Sequence, residues 1–352
     1  MHMNTYSKSY TKKTKLWLEE VLIISLIVLI ALHFILGPYF SSFSEFIEGL
    51  KNINNNAGYK VIFKARLLRI LACILVGSAL SVAGLLLQVM LNNSLAAPGT
   101  VGINSGAGLS IVIVSLFASI SGIGLTISTF IGAFLTAMLI YLIARVTGAS
   151  RNKLILAGIA ISRLFSAAID AICYFFPSVL TNKLSFQLGS FTRISMSSLI
   201  FSGMLIILGL IGALIISKYL SILSLGDDVA ISLGLDVKLT RFLLLLIVAV
   251  LSAGAVSIAG LLSFLGLIVP HIIRKLIGVE NQRRLVILTI LFGSSLTLLC
   301  DLLSKTIFMP FELPVGIIMS LIGIPFFIFL LFSKGGTSRV VKDRKPEVQS
   351  IE

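Results

Sequence analysis

Apolar residues in this chain come in long, nearly unbroken runs, and the polar residues collect in the gaps between them. The runs are close to the roughly 20 residues that a helix needs to cross a hydrocarbon layer. They predict ten spans, at 17–36, 66–87, 99–119, 122–144, 153–176, 197–217, 240–260, 261–276, 285–304 and 313–332. Between Arg241 and Arg274 lie 32 residues without a charge, too many for one crossing and few for two. Gly260 and Gly266 suggest a sharp turn there, and Pro270 breaks the helix that follows. The first run, about Val21 to Leu36 behind Lys12, Lys13 and Lys15, has the outline of a signal peptide. It is long for one, and Gly37-Pro38-Tyr39 lacks the small-x-small cleavage pattern, so it reads as an uncleaved first span.

Composition agrees with this reading. The chain is 57% hydrophobic and 12% charged, with mean hydropathy +1.08, whereas soluble domains carry about 25% charged residues. The fold class is therefore an all-α membrane protein, with a cytoplasmic N-tail at 1–16, a membrane domain at 17–332 and a cytoplasmic C-tail at 333–352. A net charge of +14 suggests nucleic acid at first sight. The charges sit at the ends of apolar runs, however, where they act as topology signals and contacts for membrane lipid, so no nucleic-acid partner is expected. With both termini inside, 19 of the 28 Lys and Arg lie on the inner side and 8 on the outer, with Arg163 inside a span. This split fits the positive-inside rule. Cys73, Cys173 and Cys300 lie in apolar runs without metal-like spacing and read as small buried hydrophobes.

Residues 79–87 (ALSVAGLLL) and 255–263 (AVSIAGLLS) match at six of nine positions. In the expected topology they run in opposite directions, which predicts an inverted repeat relating spans 2–5 to spans 7–10. Gly77, Ser78, Ser81 and Gly84 make a small-residue face on span two, suited to close helix packing.

Blocks spread over nearly the whole chain resemble the permease family that imports ferric siderophores, haem and cobalamin. They are Arg66-Leu67-Leu68-Arg69 with Val76-Gly77-Ser78-Ala79-Leu80, then Leu87-Gln88 and Asn92-Asn93-Ser94-Leu95-Ala96-Ala97-Pro98-Gly99 through Gly102-Ile103-Asn104-Ser105-Gly106-Ala107. Leu225-Gly226-Asp227-Asp228-Val229-Ala230, Leu233-Gly234-Leu235, Gly266-Leu267-Ile268-Val269-Pro270-His271-Ile272-Ile273-Arg274 and Glu312-Leu313-Pro314-Val315-Gly316-Ile317 follow in the same order. Ser94 and Leu68 stand where the family usually has proline, and Ala97 where it has an acidic residue.

The resemblance implies a type II ATP-binding-cassette importer permease in a bacterial cytoplasmic membrane. Its partners would be cytoplasmic ATPase subunits, a second permease subunit (identical or homologous) and an extracytoplasmic substrate-binding protein, with no cofactor. The cargo implied is a ferric siderophore or related iron chelate, with haem and cobalamin as alternatives. A proton- or sodium-coupled secondary transporter is the rival from another class. The chain has no Gly-Lys pair and hence no phosphate-cradling loop, so ATP hydrolysis would fall to a separate subunit.

Three groups of residues carry the expected function. Segment 218–240 is the expected ATPase-coupling element: Asp227 and Asp228 open a short helix over Val229, Ala230 and onward to Leu233, and Gly226 and Gly234 bracket it with turns. Arg66 and Arg69, three apart on one helix face, match family positions that pair with glutamates of the binding protein. Lys305 matches a third basic position, normally arginine. Reversing Arg66 and Arg69 to glutamate is thus expected to stop transport in a folded protein. In span five, Arg163 and Asp170 share a face about 10 Å apart along the axis, and the resemblance implies that they line the translocation path with Phe165 and Tyr174. Asp301 is expected to hydrogen-bond across helices, and His271 to cap carbonyls freed by Pro270.

Overall fold

A computed structural model describes residues 4–36, 47, 57–117, 122–146, 151–192, 194–277 and 281–333. The expected C-tail and Arg193 lie outside them. Twelve α-helices are present among the described residues: α1 (Asn4–Ile35), α2 (Ala57–Leu91), α3 (Ile103–Phe117), α4 (Ile123–Val146), α5 (Arg151–Phe175), α6 (Leu180–Leu188), α7 (Met196–Leu223), α8 (Asp227–Ser232), α9 (Val237–Ala259), α10 (Leu265–Ile277), α11 (Gln282–Thr306) and α12 (Val315–Ser333). A 3₁₀ turn at Pro177–Val179 precedes α6.

Each of the ten expected spans falls on one helix; α6 and α8 are the additional short ones. Seven helices are long and apolar enough to cross a membrane on their own, and α3 and α12 contain shorter apolar segments. Two boundaries differ from the sequence reading. The segment read as an N-tail continues α1 back to Asn4, and α2 starts at Ala57 rather than 66. Outside the hydrocarbon a helix needs no apolar residues, so the positions of Lys60 and Lys64 do not stop it.

The centre of the bundle is α2, of which 83% of the most apolar window is buried, against 11% for α5 at the periphery. The pairing of helices repeats. As α2 packs on α11, so α9 packs on α4; as α2 packs on α10, so α9 packs on α3; as α1 packs on α11, so α7 packs on α4. The inverted repeat thus takes in one more helix in each half, α1 matching α7.

Close approach at the centre depends on small residues. A Cβ on Gly77 would collide with the Gly293 backbone of α11, and one on Gly84 with the Gly266 backbone of α10. Gly266 therefore lies inside a helix as a packing site and not at a turn. The turn is made by Gly260 (φ +71°) and Phe264 (φ +69°), between α9 and α10. Phe186 of α6 is buried against this bend, with Leu261 N–H donating to the Phe186 carbonyl at 2.9 Å and Ser190 N–H to the Ala259 carbonyl at 2.8 Å. The nine residues of α6 are too few and too polar to register as a span in the sequence.

Pro270 has no N–H and so frees the carbonyl four residues earlier, that of Gly266. Gln88 of α2 supplies the missing donor, its Nε2 lying 2.9 Å from Gly266 O, and Arg274 Nη1 holds the other end of the amide at 2.6 Å. The carbonyl that Pro270 frees is thus held by Gln88; His271, expected there, packs edge-on against Phe326 with ring centroids 6.4 Å apart. Changing Gln88 to leucine leaves a buried carbonyl and a guanidinium edge without their partner. The expected cost is about 2–4 kcal/mol, readable as a lowered midpoint of thermal unfolding in detergent, while Gln88→Asn loses less.

Candidate functional site

Two ends of the bundle carry its polar chemistry. The upper end is where α1 finishes, α2 begins and α11 finishes. His33 of α1 and Asp301 of α11 are both fully buried, with His33 Nε2 2.8 Å from Asp301 Oδ2. Arg69 grips the same carboxylate with two donors, Nε at 2.8 Å and Nη2 at 2.9 Å, and places Nη1 2.7 Å from Glu312 in the loop before α12. Lys305 Nζ donates to the His33 carbonyl at 3.0 Å, and Arg66 Nη1 donates to the Phe34 carbonyl.

The three basic residues expected as a docking rim are thus brought together but turned inward. Arg66 is 7% and Lys305 4% exposed, and Arg69 keeps 14% of its side chain in the open. For Arg69 the inward turn has a plain cause: the buried Asp301 carboxylate of α11 draws it in, while Arg66 and Lys305 end on backbone carbonyls of α1. The sequence reading assigned Asp301 a cross-helix hydrogen bond, which holds, but gave His33 no role. A histidine near the end of an apolar run was the available signal.

Cys73, His33 and Asp301 also place their ligand atoms within 4.8 Å of one another. They do not suit a cation, because Arg69 and His33 already occupy the Asp301 carboxylate and Lys305 adds a further positive charge beside it.

Close by, a cavity of about 520 Å³ opens among α4, α6, the start of α7 and the Glu312–Pro314 loop. Its wall is rich in hydroxyls, with Thr126 donating to Ser198 at 2.8 Å. Glu312, Leu313 and Pro314, part of the block that carried the family resemblance, line it. Gly316 packs so closely on the Leu188 carbonyl that no side chain fits between them.

At the lower end, the short helix expected in segment 218–240 is present as α8, Asp227–Ser232. Gly226 (φ +109°) and Gly234 (φ +80°) take left-handed conformations on either side, with open space around both. Asp227 does more than complement the helix dipole: its carboxylate takes Arg241 Nη2 at 2.7 and 2.8 Å, tying α8 to the start of α9. Ala230 is fully buried, whereas Leu225, Val229, Ile231 and Leu233 are 62, 45, 61 and 61% exposed. Asp228 is exposed on this helix, beside the apolar ridge.

On α5, Arg163, Asp170 and Tyr174 are exposed and share a face, Tyr174 being 81% open. Phe165 is partly buried and packs against the core. Asp170 pairs with Lys183 of α6 at 2.7 Å, a partner the sequence reading did not name. That hydrogen bond raises the Lys183 ammonium above its ordinary range.

Known proteins share both sequence and fold with this chain. It is 33% identical over 338 residues to the iron-uptake system permease protein FeuB of Bacillus subtilis, covering 94% of this chain and 98% of that one. It is 35% identical over 283 residues to the hemin transport system permease protein HmuU of Yersinia pestis, covering 79% and 84%. Among solved structures, a metal-chelate type ABC transporter in an inward-facing conformation superposes with a TM-score of 0.78 at 29% identity, over 89% of this chain and 97% of that one. Residues 25–333 match the FecCD transport family, so the helical bundle with its inward-turned upper cations and its stub helix below is a transport subunit, and the chain belongs to the FecCD transport family.

Proposed function

We propose that this chain is the permease subunit of an ATP-driven importer that carries a ferric siderophore or related iron chelate across a bacterial cytoplasmic membrane. The observation that carries the coupling part is α8. A six-residue helix held by Arg241 and a buried Ala230 presents a ridge of exposed apolar side chains on a polar end of the protein. Exposed apolar residues in such a place suit burial in a partner's groove, and a rigid stub between two glycines transmits a push. The cytoplasmic ATPase is that partner. The lower end, which holds Arg241, Arg274 and Arg284, is then the cytoplasmic one, and both termini face the cytoplasm.

The exposed face of α5 with Arg163, Asp170 and Tyr174 lies against the second permease subunit and borders the translocation path. Phe165, packed inward, is left out of it. At the upper end, acidic residues of a substrate-binding protein reach Arg69 by taking the place of Glu312. Docking would thereby alter the contact between α2 and the α11–α12 loop, while Arg66 and Lys305 keep the ends of α1 and α11 in register.

The cargo is tested by radioiron uptake in cells lacking this gene, offered a panel of ferric siderophores and haem. Uptake of one compound is expected to disappear, to return with the intact gene, and to stay absent with an ATPase-dead partner. Normal uptake of every iron compound redirects the reading to cobalamin, and uptake that survives the dead ATPase redirects it to ion-coupled transport.

A further inference from the structure

The lower half of α7 carries a second arrangement that the transport reading does not use. Met204, Leu208, Ile211 and Ile215 are 57, 64, 49 and 65% exposed, and their spacing of four, three and four puts them on one helix face. The next position in that sequence of steps is Lys218. From Met204 to Ile215 the helix rises about 16 Å, close to one leaflet of a hydrocarbon layer about 30 Å thick. Where the stripe ends, α7 and the start of α11 enclose a cleft of about 620 Å³, lined by Ile211 and Ile215 on one side and by Lys218, Ser221, Asn281 and Arg283 on the other.

The polar groups at the cleft are cationic or able to donate. Lys218 lies over the Tyr219 ring, its Nζ 4.8 Å from the centroid, and neither Lys218 nor Arg283 makes an ion pair among the described residues. The adjacent Arg284 behaves differently, committed to Glu19 of α1 at 2.6 Å. Asn281 uses its oxygen to cap α11 through Arg284 N–H at 3.1 Å, which leaves its amide NH₂ as a donor on an exposed side chain. Two cations and an amide at the foot of a leaflet-long apolar stripe match a phosphate head joined to acyl chains. A soluble anion would have no use for the stripe, and a neutral headgroup none for the two charges.

We propose that the α7–α11 cleft is a binding site for one anionic phospholipid, of the phosphatidylglycerol class, whose phosphate meets Lys218, Arg283 and Asn281 while an acyl chain follows Met204–Ile215. The site lies beside the α7–α8 connection, so an occupied cleft braces the helix that leads into the coupling stub.

The test uses the purified full-length chain in detergent, titrated separately with phosphatidylglycerol, phosphatidylcholine and inorganic phosphate, with native mass spectrometry and thermal unfolding as readouts. Phosphatidylglycerol is expected to remain bound and raise the unfolding midpoint. Losing two surface cations, Lys218→Gln with Arg283→Gln, is expected to weaken it about 30-fold, and Lys218→Arg with Arg283→Lys to preserve it. Equal retention of phosphatidylcholine, equal binding by the double glutamine variant, or protection by inorganic phosphate alone would each overturn the proposal. Should that variant misfold, a photoactivatable phosphatidylglycerol on the unaltered chain decides: crosslinks are expected in 204–221 and 281–284, and crosslinks confined to other helices refute the site.

Discussion

Replacing Val229 and Ile231 together by aspartate is expected to leave the chain folded and inserted but to reduce transport by roughly a thousand-fold. Both side chains project from α8 toward solvent, 45 and 61% exposed, so the bundle loses little packing when they change. Their value lies in what covers them. An apolar anchor buried at the centre of an interface is worth about 2 kcal/mol or more. Two anchors lost, with charges left to be desolvated in the same groove, cost about 4 kcal/mol, or about a thousand-fold in association. The measurement is co-purification of the ATPase with the permease, beside uptake and a check of insertion. The contrast is Ala230→Asp, which places a charge at a fully buried position and is expected to destroy the fold around α8 itself. Normal co-purification and uptake in the Val229–Ile231 variant would remove α8 from the coupling role.

Much of the bundle could be read from the chain because hydrocarbon imposes one requirement, about 20 apolar residues per crossing, and each crossing leaves its own run. The repeat was visible where Ala79–Leu87 and Ala255–Ser263 share six of nine residues. The matching of α1 with α7 was not, because it lies in which helices touch and leaves no common residues. α8 showed itself through its flanking glycines and leading aspartates, whose conformational and electrostatic demands are local. α6 did not, because what holds it is the bend at Gly260, distant in sequence.

The side-chain partners were hardest to read. Gln88 stood in a block that carried the family resemblance, yet its bond to the carbonyl freed by Pro270 links positions 178 residues apart. The upper cations were recognised as a group, and their environment was not. Arg66 and Arg69 stand at the start of an apolar run, where exposure is the usual state, although the helix itself begins at Ala57. Only the fold brings Asp301 to them, 232 residues along the chain from Arg69.

That environment changes how the upper end must be tested. Reversing Arg69 to glutamate sets a third carboxylate beside Asp301 and Glu312, so the variant fails by misfolding whatever its part in docking. Asp301→Leu alone is expected to cost about 3–5 kcal/mol, because it leaves Arg69, in a site closed on most sides, with Glu312 as its one carboxylate and leaves His33 without its partner. Arg69→Met alone is expected to cost a similar amount, by stranding Asp301. The pair Arg69→Met with Asp301→Leu leaves neither charge behind, and exchanges of buried ion pairs for apolar side chains are often close to neutral. The double variant is therefore expected to recover most of the lost stability, measured as the midpoint of thermal unfolding in detergent. Its transport then separates the two roles of Arg69. A stable double variant that fails to bind the substrate-binding protein assigns Arg69 to docking. One that binds and transports normally makes the network a brace between α1, α2 and α11 and nothing more.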